Sequence, residues 1–455
     1  MHKSKILIIG GSAAGIVTGI TARRSDKNAE ITLLRKEEKV CVPCAIPYIF
    51  GTLCSTDKDI IPDALLSKND IKLVKGEAIS IDRKQKIVQL KSGESLNYEK
   101  LVLATGALPI IPAIPGANLN NVFSIKKDVD YINKILNVLK KVKNVVIIGG
   151  GFIGVEFADE FKKKGLNVTI VEMLPHCLQL VFDSDFCIQA EKKLSELAVN
   201  IVTNSKVVKI IGEQTVQGVE LSNGKQISCD MVLMGIGVVP NVKLAREAGL
   251  RIGQTGSVWI DQYLRTSDEN IFAAGDCAEK ISFFTNKPTK LKLASIATWE
   301  ARIAGSNLKK LEMNQKGVIG VFSTVIRDLT LCGVGLNEEQ ATELGLDLII
   351  GNAITMDRHP GCMPGAIETK TKLIFDSETK VLIGGEISGG LTSGEIINVL
   401  SVFISTKATI LDLVTFQMGT HPALTASPIA YPIVKAAEDA LNKQATYSQQ
   451  KKKIV

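Results

Sequence analysis

The sequence predicts an α/β fold in which two strand–turn–helix units of the same kind are followed by a C-terminal α+β region. Glycine-rich turns come directly after buried strands at residues 10–15 and 149–154. From about Phe322 the pattern changes to alternating apolar segments, which are typical of an antiparallel sheet. The chain has 455 residues, which is enough for about three domains.

Composition and charge exclude several classes of protein. Hydrophobic residues make up 45% and charged residues 22%, as in ordinary well-packed soluble proteins. The net charge is +7, but no basic stripe with interleaved aromatic residues indicates nucleic-acid binding. No apolar run reaches the roughly 18 residues that a membrane span needs. The nine cysteines are scattered, which favours a reducing compartment, and without a signal peptide we expect the cytoplasm.

The first unit predicts a Rossmann-like, dinucleotide-binding domain. Strand Lys5–Ile9 enters a glycine turn, and a helix follows to about Arg24. Such a turn brings backbone N–H groups and a helix N-terminus against a pyrophosphate. Any helix–strand turn that needs small residues would have a similar sequence. The residues that we predict at this site are Gly10, Gly11, Ser12, Ala14 and Gly15.

Two positions depart from the usual dinucleotide pattern. Ser12 replaces the middle glycine, and Arg35 stands where an acid normally ends the second strand, 20 residues after Gly15. Arg35 cannot accept a hydrogen bond from a ribose hydroxyl. We expect it to stack on an adenine or to contact a phosphate, with Glu37 or Glu38 binding the ribose.

A pair of cysteines follows the second strand. Cys41 and Cys44 have CxxC spacing, and Cys44 lies at the start of a predicted helix. The first backbone N–H groups of a helix favour a thiolate, so Cys44 suits redox chemistry at sulfur. Cys41 either resolves a mixed disulfide at Cys44 or simply packs; the alternative is that both cysteines are buried and structural. No second CxxC completes a zinc site, and we predict no metal.

The second glycine turn is a complete dinucleotide fingerprint. Strand Asn144–Ile148 precedes it, and strand Val168–Val171 ends in Glu172, 18 residues after Gly154. Glu172 would accept from both ribose hydroxyls of NAD and repel a 2′-phosphate, so we favour NADH over NADPH; an exposed strand-end glutamate is the alternative. The residues that we predict at this site are Gly149, Gly151, Phe152, Ile153, Gly154 and Glu172.

Three shorter motifs add to the two glycine turns. An apolar strand ends at Thr105-Gly106, and the prolines that follow suggest a crossing between domains. Gly237 closes the second domain. A further strand runs into Gly275-Asp276, where Asp276 either holds a ribitol hydroxyl or caps a helix.

Together, in this order, the motifs resemble those of the FAD-dependent pyridine nucleotide–disulfide oxidoreductases over essentially the whole chain. The resemblance implies that FAD binds the first and third segments, that NAD(P)H binds the second, and that the chain forms a homodimer. It implies an FAD-binding domain in two parts, 1–113 and 241–321, an NAD(P)H-binding domain, 114–240, and a C-terminal dimerisation domain, 322–455.

Within that family, the stretch Cys44-Ala45-Ile46-Pro47-Tyr48 resembles the single-cysteine branch. This branch contains coenzyme A disulfide reductases, NADH oxidases and peroxidases, and persulfide or polysulfide reductases. The resemblance implies that the Cys44 sulfur faces the flavin opposite the nicotinamide. It implies that Phe152 is a gating aromatic and that Glu156 lies near the nicotinamide. The alternatives are a core phenylalanine and a surface glutamate.

The C-terminal domain supplies two candidates for acid–base chemistry. His421 lies in Thr420-His421-Pro422, which resembles an acid–base element of the dithiol reductases, whereas tyrosines are more usual in the single-cysteine branch. Tyr431 is therefore the second candidate, and the alternative for His421 is a turn histidine that caps the interface. We predict that His359 is structural and His176 is on the surface. We predict packing roles for Cys54, Cys177, Cys187, Cys229, Cys277, Cys332 and Cys362.

These features predict an enzyme in which NADH reduces FAD and electrons pass through Cys44 to a disulfide, coenzyme A disulfide, persulfide or polysulfide. Three alternatives remain open. In the first, an NADH oxidase, oxygen is the acceptor and Cys44 cycles through a sulfenic acid. In the second, a protein electron carrier takes the electrons. In the third, the chain is a non-catalytic redox sensor.

Overall fold

The structure is a computed structural model that describes residues 4–454, with side chains described to residue 444. The chain forms two compact units, each made of several segments. The first unit contains Met1–Lys143, Glu213–Val216 and Ile236–Val318. The second unit contains Asn144–Gly212, Gln217–Gly235 and Ile319–Val455.

The first unit is built on a five-stranded parallel sheet. Strand Lys5–Ile9 lies at its centre. Its residues from Ile6 to Ile9 are apolar and buried, as expected of a strand that is covered on both faces of the sheet. Helices Ala13–Ser25 and Ala294–Asn307 pack against each other in the same unit. The strand order across the sheet is Ile271–Ala273, Lys100–Leu103, Lys5–Ile9, Glu30–Arg35 and Ile71–Lys75.

Smaller elements complete the first unit. A three-stranded antiparallel sheet is formed by Ala78–Asp82, Ile87–Leu90 and Ser95–Asn97. Strand Ala107–Pro109 pairs antiparallel with Val238–Pro240, and Lys280–Ile281 pairs with Pro288–Thr289. Further elements are helices Ala64–Ser67, Val129–Leu139 and Lys243–Glu247, strand Val122–Ser124 and a 3-10 turn at Thr56–Asp59.

The second unit begins with a second parallel sheet of buried strands. Its members from this unit, in spatial order, are Asn200–Val202, Asn167–Val171, Asn144–Ile148 and Met231–Met234. Helices Phe152–Lys163 and Ser184–Glu196 connect these strands. The antiparallel strands that follow are Val207–Gly212, Val216–Leu221 and Gln226–Ser228.

The C-terminal part of the second unit is a five-stranded antiparallel sheet with helices. The strand order is Val321–Ile326, Leu329–Gly335, Leu382–Gly389, Glu368–Asp376 and Leu348–Met356. The helices are Glu338–Glu343, Ser393–Ser405, Ile410–Val414 and Pro432–Ile454, and a 3-10 turn covers Pro428–Ala430.

The predicted α/β class, the two Rossmann-type sheets and the C-terminal antiparallel sheet are confirmed. Predicted strands Lys5–Ile9 and Asn144–Ile148 have the observed bounds. The antiparallel sheet predicted from about Phe322 begins with strand Val321–Ile326. The domain boundaries drawn from the sequence stay predictions.

Candidate functional site

The first glycine turn leaves no room for a side chain at Gly10 or Gly15. Gly10 has φ +126°, and a Cβ built on it would lie 2.1 Å from the Ala104 carbonyl oxygen. A Cβ on Gly15 would lie 1.9 Å from the Gly10 carbonyl oxygen. Ser12 is the N-cap of helix Ala13–Ser25, and its hydroxyl caps no backbone N–H. The helix N-terminus is thus available to an anionic group, which is what a pyrophosphate needs.

Arg35 is held by an acid and by the backbone of the loop that follows it. Its side chain is 2% exposed, and the guanidinium forms an ion pair with Asp63, with Nη1 to Oδ1 at 2.6 Å. It also donates to the backbone carbonyls of Glu37 and Glu38, at 2.9 and 2.7 Å. The aliphatic part lies against Gly11, where a Cβ would be 2.5 Å from Arg35 Cδ. Arg35 therefore shapes the loop that carries Glu37 and Glu38.

Cys44 lies in a continuous helical segment of mixed geometry. A 3-10 turn covers Pro43–Ala45, an α turn covers Ile46–Tyr48, and a π turn covers Ile49–Leu53. Pro43 suits the first helical position because its missing N–H would have no helical partner. The Cys44 side chain is exposed and takes part in no disulfide. Its thiol is therefore placed by the backbone at the N-terminal turn of the segment.

Cys41 has a very different environment. It is 2% exposed, and its backbone forms a β-bridge with Ile60. Burial, and then the neighbouring Asp59 carboxyl, raise the pKa of the Cys41 thiol to about 12. Burial also raises the pKa of Asp59 to about 6, although the hydrogen bond with Cys41 opposes that shift. At neutral pH Cys41 is therefore a protonated thiol that is hydrogen-bonded to Asp59.

The turn at Gly275-Asp276 is held by a buried ion pair. Glu300 is fully buried, and its Oε2 accepts from the Gly275 backbone N–H at 2.7 Å and from Lys280 Nζ at 2.8 Å. Lys280 also donates to the carbonyls of Gly275 and Ala278. The Asp276 carboxylate pairs with a different lysine, Lys127, whose Nζ lies 3.6 Å from Asp276 Oδ2. The pair Lys280–Glu300 thus fixes the backbone that presents Asp276.

We expect Lys280→Met to lower the free energy of unfolding by about 3 kcal/mol, because it leaves the Glu300 carboxylate buried without a counter-charge. The double variant Lys280→Met/Glu300→Leu should recover most of that loss, since it removes both charges. Chemical denaturation of the three proteins measures the difference. A single variant as stable as wild type would show that the pair does not hold the turn.

Thr105 and Asn241 lie side by side where two segments of the chain run next to each other. The Thr105 hydroxyl donates to the Asn241 carbonyl at 2.7 Å, and the Asn241 N–H donates to the Gly106 carbonyl at 2.9 Å. Gly106 has φ +69° and Gly237 has φ +98°, conformations that other residues rarely adopt. These glycines allow both chain segments to turn beside the paired strands Ala107–Pro109 and Val238–Pro240.

The second glycine turn repeats the close packing of the first. A Cβ on Gly154 would lie 1.9 Å from the Gly149 carbonyl oxygen, and Gly149 has φ +105°. Gly151 is the N-cap of helix Phe152–Lys163, with φ −72°, and a Cβ there would meet nothing within 4 Å. The open side of Gly151 is therefore where a pyrophosphate can approach the backbone.

We expect Gly151→Ala to weaken NADH binding by about tenfold or more without lowering the thermal midpoint, because the new methyl meets coenzyme and not protein. Gly154→Ala is the contrasting variant, since its methyl would overlap the Gly149 carbonyl and lower stability. NADH titration and thermal unfolding of both proteins measure these effects. Unchanged NADH affinity in Gly151→Ala would place the coenzyme elsewhere.

Glu172 is buried at the end of its strand and organises the adjacent backbone. Its Oε2 accepts from the Gly150 N–H at 2.6 Å, and its Oε1 accepts from the Leu174 N–H at 2.8 Å. The alternative of an exposed strand-end glutamate is therefore excluded, since the residue is 8% exposed. Each carboxylate oxygen keeps a further lone pair for a ribose hydroxyl.

Phe152 and Glu156 lie one turn apart on the helix that follows. The Phe152 ring stacks on Phe322, with centroids 5.7 Å apart and planes 9° apart. Glu156 Oε1 accepts from the Thr324 hydroxyl at 2.9 Å. Burial raises the pKa of Glu156 to about 7, against the opposing effect of the Thr324 hydrogen bond. The alternative given above, a solvated surface glutamate, therefore does not describe Glu156.

The two acid–base candidates of the C-terminal sheet region differ in exposure. His421 is exposed, and its Nδ1 accepts from the Ala423 N–H at 3.2 Å, so the neutral ring carries its proton on Nε2. Tyr431 is 9% exposed, and burial raises the pKa of its hydroxyl.

The other two described histidines contact neighbouring groups. His359 supports the loop of His421, because its ring contacts the Thr425 carbonyl at 3.0 Å. His176 pairs with Glu191.

The prediction that the remaining cysteines pack in the interior is wrong for two of them. Cys54 and Cys362 are exposed, whereas the other five are buried. Cys54 follows the π turn in a left-handed conformation, with φ +59°, and its thiol donates to the Gly51 carbonyl of that turn at 3.1 Å. Cys362 lies in the loop between strands Leu348–Met356 and Glu368–Asp376.

Sequence reasoning missed several polar residues that contact the predicted site residues but belong to other parts of the chain. Asp59, Asp63, Lys280, Glu300 and Thr324 each contact a predicted site residue that is far away in the sequence or on another element. None belongs to a motif, and each has the sequence signature of an ordinary polar residue. Only the folded chain brings them to the site.

An α/β chain with two such glycine turns is an oxidoreductase that uses two dinucleotides. The chain belongs to the pyridine nucleotide-disulphide oxidoreductase family, whose characteristic sequence pattern matches residues 4–301. The dimerisation domain of the same family matches residues 321–429. The family uses FAD and NAD(P)H, and the two closely packed glycine turns fit one pyrophosphate each. Of the described helices, none combines the length and the apolar character needed to cross a bilayer.

Known proteins resemble the chain over most of its length. A protein named NADH oxidase from Methanocaldococcus jannaschii is 34% identical over 96% of this chain and 99% of its own. A protein named NAD(P)H coenzyme A polysulfide/persulfide reductase from Pyrococcus horikoshii is 34% identical over 85% of this chain and 88% of its own. The solved structure of an NAD-dependent persulfide reductase from A. fulgidus is 32% identical, with TM-score 0.91 over 97% of this chain and 84% of that one.

Proposed function

We propose that this chain is a homodimeric FAD-dependent NADH oxidoreductase that passes an electron pair through Cys44 to a disulfide, persulfide or polysulfide, including acceptors that carry coenzyme A. The observation that carries this proposal is the contrast between the two cysteines. Cys44 is exposed on a helical turn, whereas Cys41 is buried and held as a thiol beside Asp59. One reactive sulfur, rather than a dithiol, is what this arrangement supports.

The residues assigned to the coenzymes follow from the two glycine turns. We assign the first turn, Gly10–Gly15, with Asp276 to FAD, and the second turn, Gly149–Gly154, with Glu172 to NADH. Glu172 keeps acceptor capacity beyond its two backbone contacts, which supports binding of an unphosphorylated ribose. When bound, FAD would accept a hydride from NADH and pass on an electron pair.

The residues of the chain then perform the sulfur chemistry. The Cys44 thiolate attacks one sulfur of the acceptor, forms an S–S bond with it and expels the other sulfur as a thiolate. An electron pair that originates in NADH breaks the new bond, which regenerates the Cys44 thiolate and releases the second sulfur. Overall, NADH and one proton reduce a disulfide to two thiols and leave NAD⁺.

We assign the protonation of the released thiolate to His421 rather than to Tyr431. The exposed imidazole carries its proton on Nε2, because Nδ1 accepts from the Ala423 backbone. Tyr431 is buried, and its raised pKa makes it a poorer acid. The match to the dimerisation domain supports a homodimer. We also propose a cytoplasmic location, because none of the nine cysteines is in a disulfide.

The second candidate is an NADH oxidase, in which oxygen is the acceptor. The name of the Methanocaldococcus jannaschii relative favours it, and an exposed Cys44 is chemically able to cycle through a sulfenic acid. Fast oxygen uptake that yields water in wild type, and hydrogen peroxide instead of water in Cys44→Ser, would support this candidate against the sulfur-acceptor proposal.

An anaerobic NADH titration of the FAD-loaded protein tests the proposal. Wild type that has been oxidised at Cys44 by a small disulfide should take up one electron pair beyond that needed for its FAD. A long-wavelength absorption from the thiolate beside the flavin should then appear. Cys44→Ser should lack both features, and Cys41→Ser should keep both. If Cys44→Ser behaves like wild type, the thiol mechanism is wrong.

A further inference from the structure

A β-hairpin of the C-terminal sheet lies along the helix that carries Phe152 and Glu156. The hairpin consists of strands Val321–Ile326 and Leu329–Gly335, and we call it the 321–335 hairpin. Two residues of its first strand, Phe322 and Thr324, point to the same side because strand side chains alternate. Phe322 stacks on the Phe152 ring, and Thr324 donates to Glu156.

The contact continues to the tip of the hairpin. Arg327 forms an ion pair with Asp159, with Nε to Oδ1 at 2.9 Å, and the Arg327 backbone N–H donates to the second oxygen of that carboxylate. Helix positions 152, 156 and 159 are four and three residues apart, so they form one face of the helix. A stacked ring pair, a hydrogen bond and an ion pair therefore fix the hairpin on that face in one register.

The hydrogen bond from Thr324 is the contact that acts on a titratable group. Thr324 is 5% exposed, so water does not replace its hydroxyl easily. Burial raises the pKa of Glu156, the Thr324 hydrogen bond lowers it, and the charge of Glu160 raises it. Glu160 pairs with Lys163 on the same helix, and Arg327 of the hairpin pairs with Asp159.

We propose that Thr324 is a positioning residue of the hydride site, which orients the Glu156 carboxyl and stabilises its ionised form from the 321–335 hairpin. This inference rests on the proposed function, with Glu156 at the place near the nicotinamide that the family resemblance implies. It adds that a strand outside both dinucleotide-binding motifs sets the charge of that acid. The stacked Phe322 holds Phe152 on the same helix face.

The charge of Glu156 has a consequence that binding experiments detect. The oxidised nicotinamide ring carries a positive charge, whereas the reduced ring carries none. A nearby carboxylate therefore strengthens binding of NAD⁺ and has little effect on binding of NADH. The affinity for NAD⁺ should then rise with pH as Glu156 ionises, and the affinity for NADH should stay nearly constant.

The experiment measures dissociation constants of NAD⁺ and NADH for the FAD-loaded dimer between about pH 5.5 and pH 9, a range that brackets carboxyl groups with raised pKa. Because NADH would reduce the FAD, its neutral, redox-inactive tetrahydro analogue takes its place, and isothermal titration calorimetry then gives both constants without turnover. The variants are Thr324→Val, Thr324→Ala, Thr324→Ser and Glu156→Gln. Ser323→Ala is the matched control, since it removes an exposed hydroxyl from the next position of the same strand.

We expect the NAD⁺ inflection of wild type near pH 7. Thr324→Val should move this inflection upward by about one pH unit, because a hydrogen bond to the carboxylate is lost. Thr324→Ser and Ser323→Ala should keep the wild-type inflection. Thr324→Ala removes the same hydroxyl with a smaller side chain, so it tests the proposal if the valine variant does not fold.

Two results would overturn the inference, and they have different meanings. If Glu156→Gln abolishes the inflection while Thr324→Val and Thr324→Ala keep it unchanged, Thr324 does not set the charge of Glu156, and the proposed function stands. If the inflection persists in Glu156→Gln, another group produces it. The place of Glu156 near the nicotinamide, which the family resemblance implies, then fails together with this inference.

Discussion

Cys44→Ser is expected to lower kcat for a polysulfide or a small disulfide by about a thousandfold or more, because serine supplies no comparable nucleophile and forms no S–S bond. Reduction of the flavin by NADH should change by less than about twofold, since the coenzyme sites are on other segments. Steady-state turnover with the sulfur acceptor, measured beside anaerobic stopped-flow reduction, separates the two steps.

The other two cysteines near this stretch are the controls. Cys54→Ser replaces an exposed thiol at the far end of the same helical segment and should keep wild-type turnover. Cys41→Ser should also keep turnover, because Cys41 is a protonated, buried thiol at neutral pH. Loss of sulfur-acceptor turnover in Cys41→Ser, with normal flavin content, would mean that the two cysteines act as a pair.

Glu172→Ala is expected to weaken NADH binding by about 10- to 100-fold, which corresponds to the loss of hydrogen bonds to a charged group. The effect has two sources, because Glu172 also accepts from the N–H groups of Gly150 and Leu174 that shape the turn. NADPH binding should weaken less or improve, since the repulsion of its 2′-phosphate disappears. Titrations with both coenzymes measure the ratio of affinities.

Glu172→Gln distinguishes charge from hydrogen bonding in this result. It keeps one oxygen acceptor for the backbone of the turn but removes the negative charge. We expect it to lose NADH preference with a smaller loss of NADH affinity than Glu172→Ala. A wild-type protein that binds NADPH more tightly than NADH would contradict the role given to Glu172.

Local sequence predicted the parts of the fold that depend on local stereochemistry. The glycines at Gly10, Gly15, Gly149 and Gly154 are required because each leaves no room for a side chain or needs an unusual φ. The turns and the strands before them were therefore predictable within a few residues of the observed bounds. The strand-end Glu172 was predictable for the same reason, since its distance from the turn is set by one helix and one strand.

Long-range contacts were not predictable, because their chemistry depends on which segments meet. The guanidinium of Arg35 pairs with Asp63, which lies 28 residues later in the sequence. The CxxC spacing suggested a dithiol, yet Asp59 and burial make Cys41 a poor thiolate. The hydroxyl of Thr324 reaches Glu156 across 168 residues of sequence. Each of these contacts determines the surroundings of a site residue, and the motif of that residue gives no sign of the contact.

The most direct test of the central claim is to identify the sulfur that receives the acceptor. The reduced, FAD-loaded protein is reacted anaerobically with one equivalent of a small disulfide, quenched with acid, and mapped by mass spectrometry of its peptides. We predict one mixed disulfide, located on Cys44, and its removal when NADH is added before the quench. An adduct on Cys41, Cys54 or Cys362, or none while the acceptor is turned over, would contradict the proposal that Cys44 carries the electrons to sulfur.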